Sequence, residues 1–559
     1  MVKHHQVDVF ISGAGPVGLV LAYQLTRLGI TTFIIDAANK ASPDFPMYGR
    51  ACSLQPGTLE IFDRLELFDD LAQEAHRRGT QVQAPVKLLD FVLAEKAEDD
   101  HRITASCAGS NGEAIQVKAR YIVGADGGGS TVRKLAGIPF VGEHKDQHWV
   151  RIDGIVKTNI PDARTGFGSF ESRTYGPVLF VALDHGATRI GYVLTAELFE
   201  KYGMQMTQEQ AVAEAKLAVA PFELEFEEVH WHTVYGIQQR VAETFVDRGR
   251  IILAGDAAHT HSSGAAQGMN TGMHDVSNLS WRLAGVIKHC FKPEVLQNYS
   301  EERRVIAQRL IEMDKTISQL IYGVKPKGFE DRPEEPSVLL REYFKSVGGF
   351  LSGFISYPAN LLNDVTHAIP EIAILPGFRS EDVPLRKPGI GPTVTSTRLH
   401  ELTRFDGKFK ILVFAGKPTM SRDRLQILRK QIDEHDGRIA VAAEFLTIIA
   451  GGFEGAIDAC LGMRKFGKGY FDVDYGAHWK YGVSQERGAL VVLRPDGILG
   501  VSAPLDGFVD VVVPYFERLL MSTLAKQPLL HNVTAGVGEL NIANESSLES
   551  GKPVNGIVA

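Results

Sequence analysis

Three clusters of residues in this chain have the types and spacing to do chemistry. The first is Gly13, Gly15 and Gly18, which stand as G-x-G-x-x-G in the words GAGPVG, with Asp36 eighteen residues beyond the last glycine. Glycines at this spacing let backbone pass close to a pyrophosphate, and a helix opening near Pro16 offers free N–H groups and a positive dipole end. A carboxylate at Asp36 can accept hydrogen bonds from ribose hydroxyls and disfavours a 2′-phosphate, so the site suits FAD or NAD better than NADP. The second cluster is Asp126 followed by Gly127, Gly128 and Gly129, with Arg133 one turn into the next helix. In the third, Asp256 follows the apolar run IILAG, and Gly268, Met269 and Asn270 can begin a helix whose N-terminus would stabilise negative charge on a flavin ring. Singly, ADGGGS is an ordinary loop and GMN an ordinary helix start. Three such features in one chain are not independent accidents.

The elements that must carry them repeat one logic. Residues 7–36 read as strand, glycine turn, helix, stop at Gly29 and a second β-branched strand. Residues 121–138 and 250–286 each bring an apolar strand to an acidic or glycine-rich turn and then a helix, which places all three turns at the carboxyl edge of one doubly wound sheet. Between them, stretches such as VLFVALDHGATRIGYVL alternate and suggest an inserted, substrate-facing sheet, while residues 324–400 are rich in Pro and Gly. From Lys408 onward KILVFAG and ALVVLRPDGILG indicate a separate α/β domain. The expected division is an FAD- or NAD-type domain at 1–80, 115–150 and 240–325, a substrate sheet at 81–114 and 151–239, a connection at 326–400, a further domain at 401–525 and a loose tail at 526–559. A length of 559 residues accommodates this at ~150 residues per domain.

Composition narrows the function classes. With 44% hydrophobic and 23% charged residues the chain is globular, and a formal charge of -8 argues against nucleic acid as a partner. The four cysteines lie far apart without a CxxC pair, which fits neither a zinc site nor a disulfide framework. No metal site is expected. The N-terminus lacks signal-peptide character and no apolar run nears ~20 residues, so neither export nor a membrane span is expected and the working place is cytoplasmic.

Taken together, GAGPVGLVLAYQLTRLG, YIVGADGGGSTVRKLAG and RIILAGDAAHTHSSGAAQGMNTGMHDVSNLSWRLAGV resemble the three signature blocks of the FAD-dependent aromatic hydroxylases, single-component flavin monooxygenases of the phenol hydroxylase and para-hydroxybenzoate hydroxylase group. The stretch from Lys408 to Leu520 is similar to the thioredoxin-like domain of the phenol hydroxylase branch. The resemblance implies an α/β fold: an FAD-binding, doubly wound, Rossmann-like domain with an inserted mixed β-sheet substrate domain and a C-terminal thioredoxin-like domain. By similarity, Gly13, Gly15, Gly18 and Asp36 hold the ADP half of FAD. Arg50 falls near the flavin phosphates, and Asp126 and Gly127 match the DG motif that serves both FAD and NAD(P)H. Asp256 meets the ribityl or pyrophosphate region, and Gly268, Met269 and Asn270 lie against the isoalloxazine. The implied reaction is reduction of FAD by NADPH or NADH, oxygen addition at flavin C4a and transfer of one oxygen atom to a phenolic or polyketide-like ring. The partners are a small aromatic substrate, O2 and a second copy of the chain.

The chain also departs from that pattern. Cys52 stands where phenol hydroxylases place an aspartate base, Gly57 where an arginine is common, and Ser263 where a proline is common. The catalytic base is therefore unassigned. Tyr175, His232 and Tyr235 are substitutes to weigh against structural roles. After Gly79 the family carries a longer segment that is missing here, with a strand of the substrate domain and a glutamine that touches the flavin. The competing readings are thus a shortened, impaired flavin-binding protein, or another flavin oxidoreductase on the same scaffold. Trp231-His232-Thr233-Val234 does not match the WxWxIP motif expected of a halogenase.

Overall fold

The computed structural model describes residues 2–40, 42, 45, 48–49, 51, 53–67, 81–97, 99–172, 174–262, 266–369, 371–389, 395–435, 437–452 and 456–524. Its first sheet has the order β12-β13-β6-β1-β2-β3, built from β1 (Lys3–Ser12), β2 (Thr32–Ile35), β3 (Val82–Gln83), β6 (Ala114–Gly124), β12 (Val246–Asp247) and β13 (Ile251–Leu253). The pairings β1 with β2, β1 with β6, β6 with β13 and β2 with β3 are parallel. Val9, Phe10 and Ile11 are fully buried at its centre, as a strand covered on both faces requires. Helices α1 (Pro16–Arg27), α2 (Pro56–Leu65) and α3 (Thr131–Ala136) connect it.

Residues 81–114 differ from the sequence expectation. They form β4 (Val86–Leu93) and β5 (Ile103–Gly109), an antiparallel arm that pairs with β6 on the first sheet instead of joining the substrate sheet. The cause is local. A tight turn, closed by Gly109 N–H to the Glu113 carbonyl at 2.9 Å, folds β5 directly onto its own continuation.

The inserted sheet has the order β14-β11-β7-β10-β9-β8. Its members are β7 (Phe140–Thr158), β8 (Phe167–Ser172), β9 (Gly176–Ala182), β10 (Thr188–Leu194), β11 (Leu224–Ala242) and β14 (His259–Thr260). Strand alternation gives it two unlike faces. Val150, Ile152, Ile190 and Tyr192 pack against α4 (Ala196–Tyr202) and α5 (Gln208–Ala218), whereas Trp149, Val193, Tyr235 and Ile237 point the other way. That second face meets the end of α7 (Glu294–Ile321), the long helix that follows α6 (Gly268–Ile287).

A third sheet runs β16-β15-β19-β18-β17-β20-β21. It contains β15 (Pro384–Arg386), β16 (Ser396–Arg398), β17 (Phe409–Gly416), β18 (Ala443–Ala450), β19 (Lys468–Asp472), β20 (Ala489–Leu493) and β21 (Leu499–Ala503). Parallel β17, β18 and β19 with antiparallel β20 and β21 make the thioredoxin-like domain. The Pro- and Gly-rich connection is more than a linker, since it supplies β15, β16 and helix α8 (Pro336–Leu351). Nor does this domain stand apart. Trp281 of α6 meets Phe409 of β17 edge-on at 5.4 Å, and the two sheets share one hydrophobic core. Among the described residues no helix is long and apolar enough to cross a membrane.

Candidate active site

At the first turn the glycines divide into two kinds. A Cβ at Gly13 would lie 2.3 Å from the Ala125 carbonyl oxygen, and one at Gly18 would lie 1.9 Å from that of Gly13. Both are needed for the chain to fold back on itself. Gly15 is different: its Cβ would meet only Lys40 Nζ, at 3.9 Å, so the open side of the turn has space for a ligand. Gly15 also starts α1 without a side-chain cap, leaving helix N–H groups for an anion. The Asp36 carboxylate accepts from Ala14 N–H at 2.7 Å and Ala38 N–H at 2.9 Å, and pairs with Lys40 at 2.5 Å. It therefore ties β2 to the glycine turn. The donor set, glycine backbone with Lys40 at its mouth, fits a dinucleotide phosphate.

Asp126 is a helix cap in the structure. Its carboxylate takes Ser130 Oγ at 2.5 Å and the N–H groups of Thr131 and Val132 at 2.7 and 3.2 Å. Gly127, with φ +80°, and Gly129 have nothing within 4 Å of a built Cβ, so this turn is open too. Arg133 spans to the third block, donating to the Ala257 carbonyl at 2.7 Å and to that of Gly128 at 2.8 Å.

In the third block Asp256 is exposed, and its Oδ1 lies 3.9 Å from a Cβ built on Gly268, at the positive end of α6. Gly268 and Met269 are half-buried beside it. Asn270 is buried and acts as a clamp: its Oδ1 accepts from Gln55 N–H at 2.8 Å, and its Nδ2 donates to the carbonyls of Ser53 and Ala266 at 3.1 and 2.8 Å. At the other end of that loop, Gly49 N–H donates to Asp153 at 2.8 Å, and Asp153 is paired twice at 2.7 Å with Arg189. Gly49 is thus tied to the substrate sheet, and Ser53 and Gln55 to α6. Arg50, Cys52 and Ser263 lie outside the described residues. Gly57, at the arginine position of the family pattern, packs backbone to backbone: its Cβ would come within 2.9 Å of Gly353 Cα. No larger residue fits there.

Beside this edge a small cavity opens between the substrate sheet and α7. Trp149, Leu179, Tyr235 and Ile237 form one wall, Ser318, Ile321 and Tyr322 the other, and Ser262 the rim. Asp314 fixes Ser262, accepting from its Oγ at 2.5 Å and its N–H at 2.8 Å while also holding Gln239. The Tyr322 hydroxyl and Ser318 Oγ are buried and lack hydrogen-bond acceptors among the described residues, with the Trp149 indole the polar neighbour of the former. Burial pushes the Tyr322 phenol well above its ordinary pKa, so it is a donor at neutral pH. Of the three base candidates only Tyr235 reaches this cavity. Tyr175 lies on the opposite face and donates to Glu214 at 2.5 Å, with burial and that carboxylate raising its pKa. His232 alternates onto the same face as Val234, toward α5.

Sequence reasoning missed the groups beneath the third turn. Asp275 of α6 accepts Gly255 N–H and His259 Nε2, each at 2.9 Å, and pairs with Arg303 of α7 at 2.7 Å. Burial pushes this carboxyl up, but Arg303 and His259 outweigh it and hold it at about 2. The signal that could have found them is a charged residue inside a stretch otherwise suited to a fully buried helix.

With this geometry in place, the comparisons with known proteins decide the family. The FAD binding domain family matches residues 6–84 and 64–314. The chain belongs to the FAD binding domain family. It is an FAD-dependent monooxygenase, and FAD is its cofactor. The two matched pieces overlap at 64–84, where the sequence reading finds a family segment missing. The phenol hydroxylase C-terminal dimerisation domain matches residues 462–524. Among curated relatives, 3-hydroxybenzoate 4-monooxygenase of Comamonas testosteroni is 26% identical over 635 aligned positions, covering 92% of this chain and 95% of its own. Phenol 2-monooxygenase fsqG of Aspergillus fumigatus is 27% identical, with 92% and 96% covered. Among solved structures, aklavinone-11 hydroxylase in complex with FAD and aklavinone superposes with a TM-score of 0.68 at 20% identity, covering 92% of this chain and 99% of that one, a likeness of fold.

Proposed function

We propose that this monooxygenase hydroxylates a phenolic or polyketide-like aromatic ring, using NADPH or NADH and O2, at the face of the substrate sheet that meets α7. The observation that carries the reading is the make-up of that face, since the gap itself, at about 10 Å³, holds no more than a water molecule. Apolar side chains and two buried hydroxyls face one another beside the Ser262 rim and the start of α6. The names 3-hydroxybenzoate 4-monooxygenase and phenol 2-monooxygenase among the relatives support a phenolic ring. Gly13, Gly15, Gly18 and Asp36 would hold the ADP half of FAD, with Arg50 near the flavin phosphates, Asp126 and Gly127 serving both FAD and NAD(P)H, Asp256 at the ribityl or pyrophosphate region and Gly268, Met269 and Asn270 against the isoalloxazine. The chemistry supplied by bound FAD is activation of O2 with electrons from NAD(P)H. The protein's part is to keep water out with Trp149, Leu179, Ile237 and Ile321 and to orient the ring. Tyr322 keeps its proton and donates to the ring oxygen, so a substrate lacking that oxygen leaves the buried hydroxyl unpaired and is rejected. The 462–524 match supports a homodimer, and the free Cys107, Cys290 and Cys460 suit a cytoplasmic working place.

The test is the visible spectrum of the purified protein, followed by NADH and NADPH oxidation under air with 3-hydroxybenzoate, phenol and polycyclic phenols. A flavin spectrum, oxidation stimulated by a phenol and a product one oxygen atom heavier are expected. Protein that cannot be loaded with FAD, or loaded protein indifferent to every phenol, would overturn the reading.

A further inference from the structure

The third sheet reaches into the FAD-binding domain with one turn, Arg494 to Gly497, between β20 and β21. Three helices of the first domain converge on it. Arg64 of α2 donates to the Pro495 carbonyl at 3.0 Å, and Arg282 of α6 lies 3.6 Å from Asp496. Glu302 of α7 accepts both terminal nitrogens of Arg494, at 2.7 and 3.0 Å. Glu302 also accepts from Arg282 at 2.6 Å, Asn278 at 2.8 Å, Asn360 at 3.0 Å and Asn363 at 2.8 Å. Arg282, Glu302 and Arg494 are shut off from solvent. Every lone pair of that carboxylate is committed, so its position fixes α7 relative to the turn.

The next residue of α7 carries the contact onward. Arg303 donates to the Tyr357 hydroxyl at 2.9 Å and to Asp275 at 2.7 Å, and Asp275 receives Gly255 N–H. Tyr357 also offers its ring face to Arg494, whose guanidinium carbon is 5.4 Å from the ring centroid. A continuous run of buried polar contacts therefore joins Arg494 and Tyr357 to Gly255, the residue before Asp256. Arg303 further reaches the Thr271 carbonyl at 3.3 Å, in the first turn of α6.

We propose that this turn of the thioredoxin-like domain is a remote part of the flavin site, and that Arg494 and Tyr357 are positioning residues for it. By fixing α7 they fix Asp275 and Arg303, and through these the Gly255–Asp256 turn and the N-terminus of α6. A thioredoxin-like domain without a CxxC pair then has a role of its own in cofactor binding, distinct from association between copies. The inference rests on FAD occupying the edge described above.

The test uses full-length protein stripped of flavin, with free FAD as the probe. Its readouts are the FAD dissociation constant from flavin fluorescence, the melting temperature with and without FAD, and the oligomeric state. Tyr357→Phe keeps the ring and removes only the acceptor of Arg303. It should weaken FAD binding about tenfold, shrink the FAD-induced rise in melting temperature and leave the oligomeric state unchanged. Arg494→Lys keeps the charge but loses the two-pronged contact with Glu302, and should weaken FAD binding more than Tyr357→Phe does. If Arg494→Lys fails to fold, Tyr357→Phe alone decides. FAD affinity equal to the parent in Tyr357→Phe, whether or not the flavin-free protein melts lower, would overturn the proposal and leave these residues a purely structural role. A parent protein that binds no FAD would overturn the cofactor reading as well, and is told apart because it shows before any variant is made.

Discussion

The first glycine turn and the Gly255–Asp256 turn stand at the carboxyl ends of strands in the same parallel sheet, yet they are held by opposite means. The first is fixed by what is missing: Gly13 and Gly18 have no Cβ, so backbone meets backbone at distances no side chain tolerates. The second is fixed by what is added. Asp275, Arg303 and Tyr357, from two helices and a distant loop, supply buried charge and hydrogen bonds under Gly255. A turn of the first kind is robust and local. A turn of the second kind depends on every element that brings its supports together.

The sharpest way to break the first turn is Gly18→Ala, whose Cβ would fall 1.9 Å from the Gly13 carbonyl oxygen. A loss of about 4 kcal/mol or more is expected, seen as a collapse of the urea midpoint and of bound flavin. At the second turn, Asp275→Asn leaves Arg303 buried without its counter-charge and should cost about 3 kcal/mol by the same urea assay. A smaller result there would mean that backbone, not charge, holds both turns.

Acidity tests the second region further. Burial, reinforced by Arg303 and Arg379, lowers the His274 pKa to about 3, so the folded protein keeps this imidazole neutral while the unfolded chain takes up a proton near 6.5. Because the unfolded state binds the extra proton, stability falls as pH drops from 6.5 toward 3, by up to about 1.4 kcal/mol per unit. His274→Gln should flatten that slope in melting temperatures measured between pH 7 and 5, and an unchanged slope would refute it.

Two milder changes separate binding from folding. Gly15→Ala meets only Lys40 Nζ at 3.9 Å, so stability should shift by less than about 1 kcal/mol while FAD affinity drops about tenfold. Equal losses in both would mean that all three glycines serve the fold alone. In the cavity, Tyr322→Phe removes a buried hydroxyl that has no acceptor among the described residues, so stability should stay within about 0.5 kcal/mol. Hydroxylation of a phenol should slow about tenfold, by product formation under air.

The same contrast governs what could be read from the chain. Glycine spacing, the apolar strand before each turn and Asp36 are local patterns, and local sterics made them legible. Residues 81–114 were misplaced because alternation shows that a strand has two faces, not which sheet it joins. The short turn at Gly109 to Glu113 decided that. Tyr175, His232 and Tyr235 were equal candidates in sequence, and only the fold separates them: alternation along β11 sends Tyr235 to the cavity and His232 away from it, while Tyr175, in the turn before β9, is held by Glu214.

By itself the sequence determined the three signature turns and the doubly wound sheet that carries them, because glycine conformation and strand periodicity act over a few residues, while the FAD-dependent class followed from the resemblance of the three blocks to a known family. The tertiary structure alone decided that β4 and β5 extend the first sheet and that α7 faces the cavity with Ser318 and Tyr322. It also decided that Arg494, more than two hundred residues from Gly255 in sequence, is joined to it through buried contacts. Buried charges must find partners wherever the fold brings them, and chain separation carries no record of that meeting.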